Sequence, residues 1–168
     1  MSQMASMRQR AAEGLQVGDT FTISRVFTDE EVVLFARISG DYNPVHFDAR
    51  FARARDFPTT ICHGLLTAGL VTEIGGQIGW LASVLNFKFK APVYVGETIT
   101  CRMVITGIDA GGRAKATATM TRDDGTVVIE SELSGIVPGM EERRVLAEML
   151  AEGDPTNGLM DARPPVPK

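Results

Sequence analysis

Residues 64–81 read GLLTAGLVTEIGGQIGWL. Wound at 3.6 residues per turn, this stretch has apolar side chains on nearly every face, so its pattern predicts one helix enclosed by protein rather than lying on a surface. Its glycines lower helix propensity by about 1 kcal/mol each relative to Ala, yet they let another backbone come close. A helix of this kind needs something wrapped around it. The rest of the chain supplies that wrapping. Strand-like runs follow at 84–89, 98–108, 114–122 and 127–137, broken by Pro92, Gly96, Gly111 with Gly112, and Asp124 with Gly125, the last pair being a hairpin signal. An enclosed helix followed by antiparallel strands on short turns predicts an α+β domain whose sheet curls over the helix.

Upstream, 20–27 (TFTISRVF) is expected as the first strand. TDEE at 28–31 has the spacing of a capping box, so a helix should start there, present Val32, Val33, Phe35, Ala36 and Ile38, and stop at Gly40. The exit from that helix is SGDYNPVHFD, 39–48. Gly40 takes backbone angles other residues avoid, while Pro44 fixes its own φ and pushes Asn43 out of the helical region, so the loop is stiff. A stiff loop can aim side chains. Asp41 and His46 together can hold and deprotonate a water, the carboxylate accepting its hydrogen bond and the imidazole moving a proton near neutral pH. Read alone, Asp41 is equally a turn residue bonding its own backbone, and His46 equally a buried histidine with both nitrogens satisfied.

A short helix is expected over 49–55, with Arg50, Arg53 and Arg55 outward and Phe51 and Ala52 inward. Residues 1–13 have no clear period and are read as a flexible lead-in, 14–138 as the folded domain, and 139–168 as a short surface helix followed by a flexible, proline-rich tail.

Composition narrows the function. The chain has 168 residues, enough for one domain with a proper core. A net charge of -4 without a dense basic run argues against nucleic acid. Neither a signal peptide nor a membrane span is read, and Cys62 and Cys101 are expected as thiols in the core, so the expected location is the cytoplasm. Asp41, His46, Asp48 and His63 lack the usual short metal-ligand spacings, so no metal is expected. Lys88 and Lys90 alternate on one strand face, where they would either meet phosphates of a coenzyme or only aid solubility.

Four segments carry a resemblance: FARISGDYNPVHFD at 35–48, Phe57 with Pro58, CHGLLTAGL at 62–70, and FKFKAPVYVGETIT at 87–100. In this order they resemble the MaoC-like or hydratase-2 family, close to the (R)-specific enoyl-CoA hydratases, over about residues 15–138. The resemblance implies a hot-dog fold, a long central helix wrapped by an antiparallel sheet, in a homodimer. It also implies reversible hydration of trans-2-enoyl-CoA to (R)-3-hydroxyacyl-CoA without a cofactor. Its catalytic Asp and His fall on Asp41 and His46, its oxyanion donor on the amide of Gly64, and its loop-fixing Asn on Asn43. Asn43, His63 and Thr72 are taken as substrate-binding positions, with a place near the helix start the alternative for His63. The rival readings are a dehydratase of carrier-linked, branched or dicarboxylic acyl thioesters, a thioesterase, and a non-catalytic acyl-CoA-binding subunit. Thr60 and Ile61 stand where the family often has Pro-Ile, so the acyl pocket is expected to be lined differently.

Overall fold

A computed structural model describes residues 3–154 and residue 156. Its elements, in chain order, are α1 (Gln3–Glu13), β1 (Thr20–Val26), α2 (Asp29–Ser39), a 3-10 turn (Pro44–His46), α3 (Ala49–Arg53), α4 (Gly64–Ala68) and α5 (Leu70–Gln77). Then follow β2 (Leu81–Phe89), β3 (Thr98–Ile108), β4 (Arg113–Arg122), β5 (Val127–Ile136) and α6 (Met140–Ala151). The five strands form one antiparallel sheet in the order β1-β3-β4-β5-β2.

Period-two alternation decides which face of the sheet meets the helix. Phe21 and Ile23 of β1, Ile99, Cys101, Met103 and Ile105 of β3, and Ala114, Ala116, Ala118 and Met120 of β4 are all buried. The three alanines matter because a small side chain at the middle of the sheet leaves room for a helix to lie close. Leu70, Val71 and Ile74 of α5 share that core, with Ile78 beyond its end. This is the hot-dog arrangement: a central helix with a curved antiparallel sheet around it.

The central helix differs from the expected single span over 64–81. It runs as α4 and α5, end to end through Gly69, whose φ of -54° and ψ of -17° stay right-handed helical. It stops at Ile78, because Gly79 turns into the left-handed region at φ 67°. Leu81 therefore belongs to β2, and the strand begins earlier than its apolar pattern suggested. Nor is the helix enclosed on every side: Leu65, Thr72 and Gly76 are exposed along one stripe. Behind the turn, Trp80 lies so close to β5 that a Cβ on Gly135 would come within 2.0 Å of its indole nitrogen. Only glycine fits there.

The ends of the chain depart most from expectation. Gln3–Glu13, read as part of a flexible lead-in, is helical, and it puts Met7 and Ala11 into the core. Three polar ties hold it. The buried Arg8 guanidinium pairs with Asp154 at 3.0 Å and donates to the carbonyl of Gly76 at 3.2 Å, while Arg143 of α6 donates to the carbonyls of Ala12 and Glu13. The sequence signal was weak because, among the described side chains of α1, two apolar residues, Met7 and Ala11, reach the core. The surface helix expected after residue 139 is α6, which has no buried residue, though Leu146 packs partly against the core. The expected tail over 161–168 lies outside the described residues. Among the described residues no helix is long and apolar enough to cross a membrane.

Candidate active site

α2 ends as its sequence dictates. Thr28 Oγ1 accepts from the Glu31 amide at 3.3 Å, and Glu31 accepts in return from the Thr28 amide at 3.0 Å, closing the capping box. At the other end Gly40, φ 76°, donates its N–H to the carbonyl of Ala36 and sends the chain out of the helix. Asp41 comes next. Its Oδ1 accepts from the Asn43 amide at 3.2 Å, and the Asn43 Oδ1 accepts from the Val45 amide, also at 3.2 Å. These two Asx turns, with Pro44 opening the 3-10 turn, stiffen the loop from within. Asp41 is thus both a turn residue and a site residue, each through a different oxygen.

Its second oxygen, Oδ2, lies 3.8 Å from His46 Nε2. That gap is too long for a hydrogen bond, yet one water at about 2.8 Å can touch both atoms. The carboxylate side chain is 49% exposed and the imidazole 8%, so the pair spans the boundary between solvent and interior. His46 Nδ1 is 2.8 Å from the carbonyl of Ile61. A carbonyl only accepts, so Nδ1 carries the proton and the neutral ring presents a bare Nε2 lone pair toward Asp41. Burial holds the His46 pKa below its ordinary 6.5. The neighbouring His63 adds to this, against the opposing pull of the Ile61 hydrogen bond and of Asp41. The ring is thereby kept neutral, ready to accept a proton.

From the other side comes the α4 start. Gly64 is the first residue of α4 and lines the same cavity as Asp41 and His46. Amides in a helix's first turn have no partner within the helix, and the backbone dipoles of α4 and α5 add positive potential there. A Cβ at Gly64 would come within 2.7 Å of the Phe89 ring. The cavity holds about 540 Å³ and continues between Phe57, Ile61, Cys62, Phe89, Val93 and Ile129. Asp41 and His46 in a cavity lined largely by apolar groups suit a ligand with a reactive polar head and a hydrocarbon tail.

The remaining sequence expectations divide. Asn43 fixes the loop and is not part of the cavity lining. Thr72 is exposed, donates its hydroxyl to the Gly69 carbonyl at 2.7 Å, and lies away from the cavity, because it projects from the open stripe of the central helix. His63 reaches the cavity but is 1% exposed, with Nε2 donating to the carbonyl of Asp41, so its ring is turned to the protein rather than to solvent. Lys90 lines the cavity and sits 3.8 Å from Glu130, whereas Lys88 faces a separate groove on the sheet. In α3, Ala52 is buried but Phe51 is partly exposed, packed beneath Arg55. Ile61 was expected only as part of the acyl-pocket loop, and Phe89 only as part of a strand and of a segment carrying the resemblance. Ile61 acts through its backbone carbonyl, which leaves no trace in side-chain pattern.

A metal could be drawn between Asp41, His46 and His63, whose donor atoms lie within 4.8 Å of one another. The two imidazoles are stacked, however, with centroids 3.8 Å apart and planes at 31°. Stacked rings send their lone pairs alongside each other rather than toward one point, so the set suits a metal poorly. Burial pushes the Cys62 and Cys101 thiols up to about 12, which leaves both protonated and unreactive.

The family model described as MaoC like domain matches residues 12–127, most of the chain, including Asp41, His46 and Gly64. The chain belongs to the MaoC-like family. It is an enzyme of the hydratase and dehydratase, or hydro-lyase, class. MaoC-like relatives include the (R)-specific enoyl-CoA hydratase of Rhodospirillum rubrum, 32% identical over 75% of this chain and 90% of that protein. Another is the 3-hydroxybutyryl-CoA dehydratase of Methylorubrum extorquens, 34% identical over 84% of this chain and 92% of that protein. Among solved structures, the (R)-hydratase from A. caviae involved in PHA biosynthesis superimposes with a TM-score of 0.70 at 30% identity, covering 75% of this chain and 99% of that one.

Proposed function

We propose that this MaoC-like enzyme acts on acyl thioesters, adding water reversibly to trans-2-enoyl-CoA to give (R)-3-hydroxyacyl-CoA. The observation that carries this reading is the single cavity shared by the Asp41 and His46 pair, the Gly64 amide and an apolar channel. A conjugated thioester needs a held water, a base, a proton for C2 and a donor for the developing enolate oxygen. His46 Nε2 takes a proton from the water as the water oxygen bonds to C3, with Asp41 Oδ2 holding the water by its other hydrogen. The π electrons move onto the thioester carbonyl, where the Gly64 N–H stabilises the negative charge. The enolate then collapses and C2 takes a proton from the same pair, so one molecule of water is consumed with no change in redox state. Loss of an oxyanion donor of this sort typically costs about 3 to 4 kcal/mol of transition-state stabilisation.

A single enantiomer follows if water is delivered from one face only, as a pair fixed on one wall of the cavity would do, and the (R) sense is taken from the relatives. The similarity to the Rhodospirillum and A. caviae hydratases supports this finer reading. Its test is the loss of conjugated thioester absorbance with crotonyl-CoA and a series of longer enoyl-CoAs, followed by chiral analysis of the product. Turnover at some chain length with (R) product is expected. Absence of turnover at every length, or an (S) product, would overturn it. Running the same series on a carrier protein's phosphopantetheine separates coenzyme A from carrier-linked substrates, and release of free thiol would reveal a thioesterase instead.

The working unit in this reading is a homodimer. β2 is an edge strand exposed on both faces, with Leu81, Val84, Leu85 and Phe89 open along it. An edge of this length and apolarity invites a second strand. Sedimentation equilibrium should give twice the 18.2 kDa chain mass, and a monomer would refute the dimer.

A further inference from the structure

His63 is a buried titratable group that hydration chemistry does not use, and it contacts both the Asp41 loop and the His46 ring. Its Nε2 donates to the backbone carbonyl of Asp41 at 3.0 Å, a tie spanning 22 residues of sequence. Its ring stacks on His46 at a centroid distance of 3.8 Å, with Phe35 at 5.0 Å and Phe47 at 6.0 Å around it. It is also the residue immediately before Gly64, and its carbonyl accepts from the Thr67 amide in the first turn of the central helix. Only 1% of it is exposed, and its Nδ1 has no hydrogen-bond partner. A buried polar atom left unpaired is a cost, and such a residue persists where the rest of it is needed.

We propose that His63 is a positioning residue that sets the spacing between Asp41 and His46, its N–H fixing the Asp41 backbone while its ring face fixes the tilt of the His46 imidazole. This rests on the hydratase reading for what the pair does, but not for the geometry. The Asp41 loop is stiff within itself through its two Asx turns, yet those bonds are all local. The hydrogen bond from His63 ties the loop to the helix that presents the oxyanion amide. The stack restrains the one rotation of His46 that its hydrogen bond to Ile61 leaves open. Water held between two groups is sensitive to such placement, and a misplacement of about 1 Å can cost about 10²-fold in rate.

Two substitutions separate the tie from the stack. His63→Gln can still put an amide N–H where Nε2 stood but has no ring, and His63→Phe keeps a ring and loses the donor. With dimer and fold checked by sedimentation and circular dichroism, kcat on the best enoyl thioester should fall about 10²-fold in His63→Phe and less in His63→Gln, KM changing little in either. The double variant Asp41→Asn/His63→Phe should be no slower than Asp41→Asn, because His63 acts through the pair.

A second readout does not depend on turnover. The chain has only two histidines, so in either variant the imidazole seen by NMR is that of His46. Asp41 and His63 are the charged or titratable groups facing it among the described residues. Removing the His63 ring should raise the pH at which His46 titrates. A His46 titration and a kcat both equal to those of the native enzyme in His63→Phe would overturn the proposal. A native enzyme that hydrates no thioester would instead overturn the functional reading, leaving the His46 titration to decide the role of His63.

Discussion

Asp41 accepts a backbone hydrogen bond through one oxygen and faces His46 with the other, and these two duties respond differently to substitution. Asp41→Asn keeps an oxygen to accept from the Asn43 amide, so loop and melting temperature should be preserved while kcat falls about 10²- to 10⁴-fold. Unchanged turnover would move the chemistry to other residues. His46 makes a prediction about pH. Its pKa lies below 6.5 because of burial first and the His63 ring next, and only the neutral ring accepts a proton. The acid limb of kcat/KM assigned to it should therefore fall below 6.5. Stability follows the same sign: the unfolded chain takes up this proton more readily, so above 6.5 the group contributes nothing, and as pH drops through and below 6.5 the folded state loses ground. His46→Gln should lessen that acid sensitivity in pH-dependent melts. At Gly64 the amide survives substitution but the space does not: Gly64→Ala must turn Phe89 aside and should raise KM and lower kcat, most for long acyl chains.

Whole elements are only as good as their ends. Gly40 sits at φ 76°, where an alanine costs about 1 to 2 kcal/mol, so Gly40→Ala should lower stability by that amount and activity by more, because Asp41 is the next residue. A denaturant melt combined with kcat tests both halves. The capping box and this glycine were legible in the sequence because both are local signals, one of spacing and one of backbone freedom. The Asp41 and His46 loop was legible for the same reason. What the sequence did not reveal came from long-range partners. The bond from His46 to the Ile61 carbonyl joins residues 15 apart, through a backbone atom that every residue possesses. Thr72, taken as a substrate position, sits on the exposed stripe of the central helix and does not line the cavity. The helix broke earlier than expected because a left-handed Gly79 outweighs the apolar run that continues past it.

At the scale of the molecule, α1 and the segment just after α6 meet at the far end of the central helix, where Arg8 joins α1 to both Gly76 and Asp154. Removing one member of a buried ion pair leaves the other charge without compensation, so Asp154→Ala should destabilise the fold by about 3 kcal/mol while leaving kcat per folded molecule unchanged, since Asp154 is not part of the cavity lining. A melt within error of the native enzyme would show that the α1 clamp contributes nothing. The fit of Trp80 against Gly135 gives the means to follow all of these variants. It is the sole tryptophan, buried between helix turn and sheet and absent from the cavity wall. Its fluorescence should shift to longer wavelength only when sheet and helix part, and stay constant as an acyl thioester binds, so this chain carries an optical gauge of folding that is blind to its own substrate.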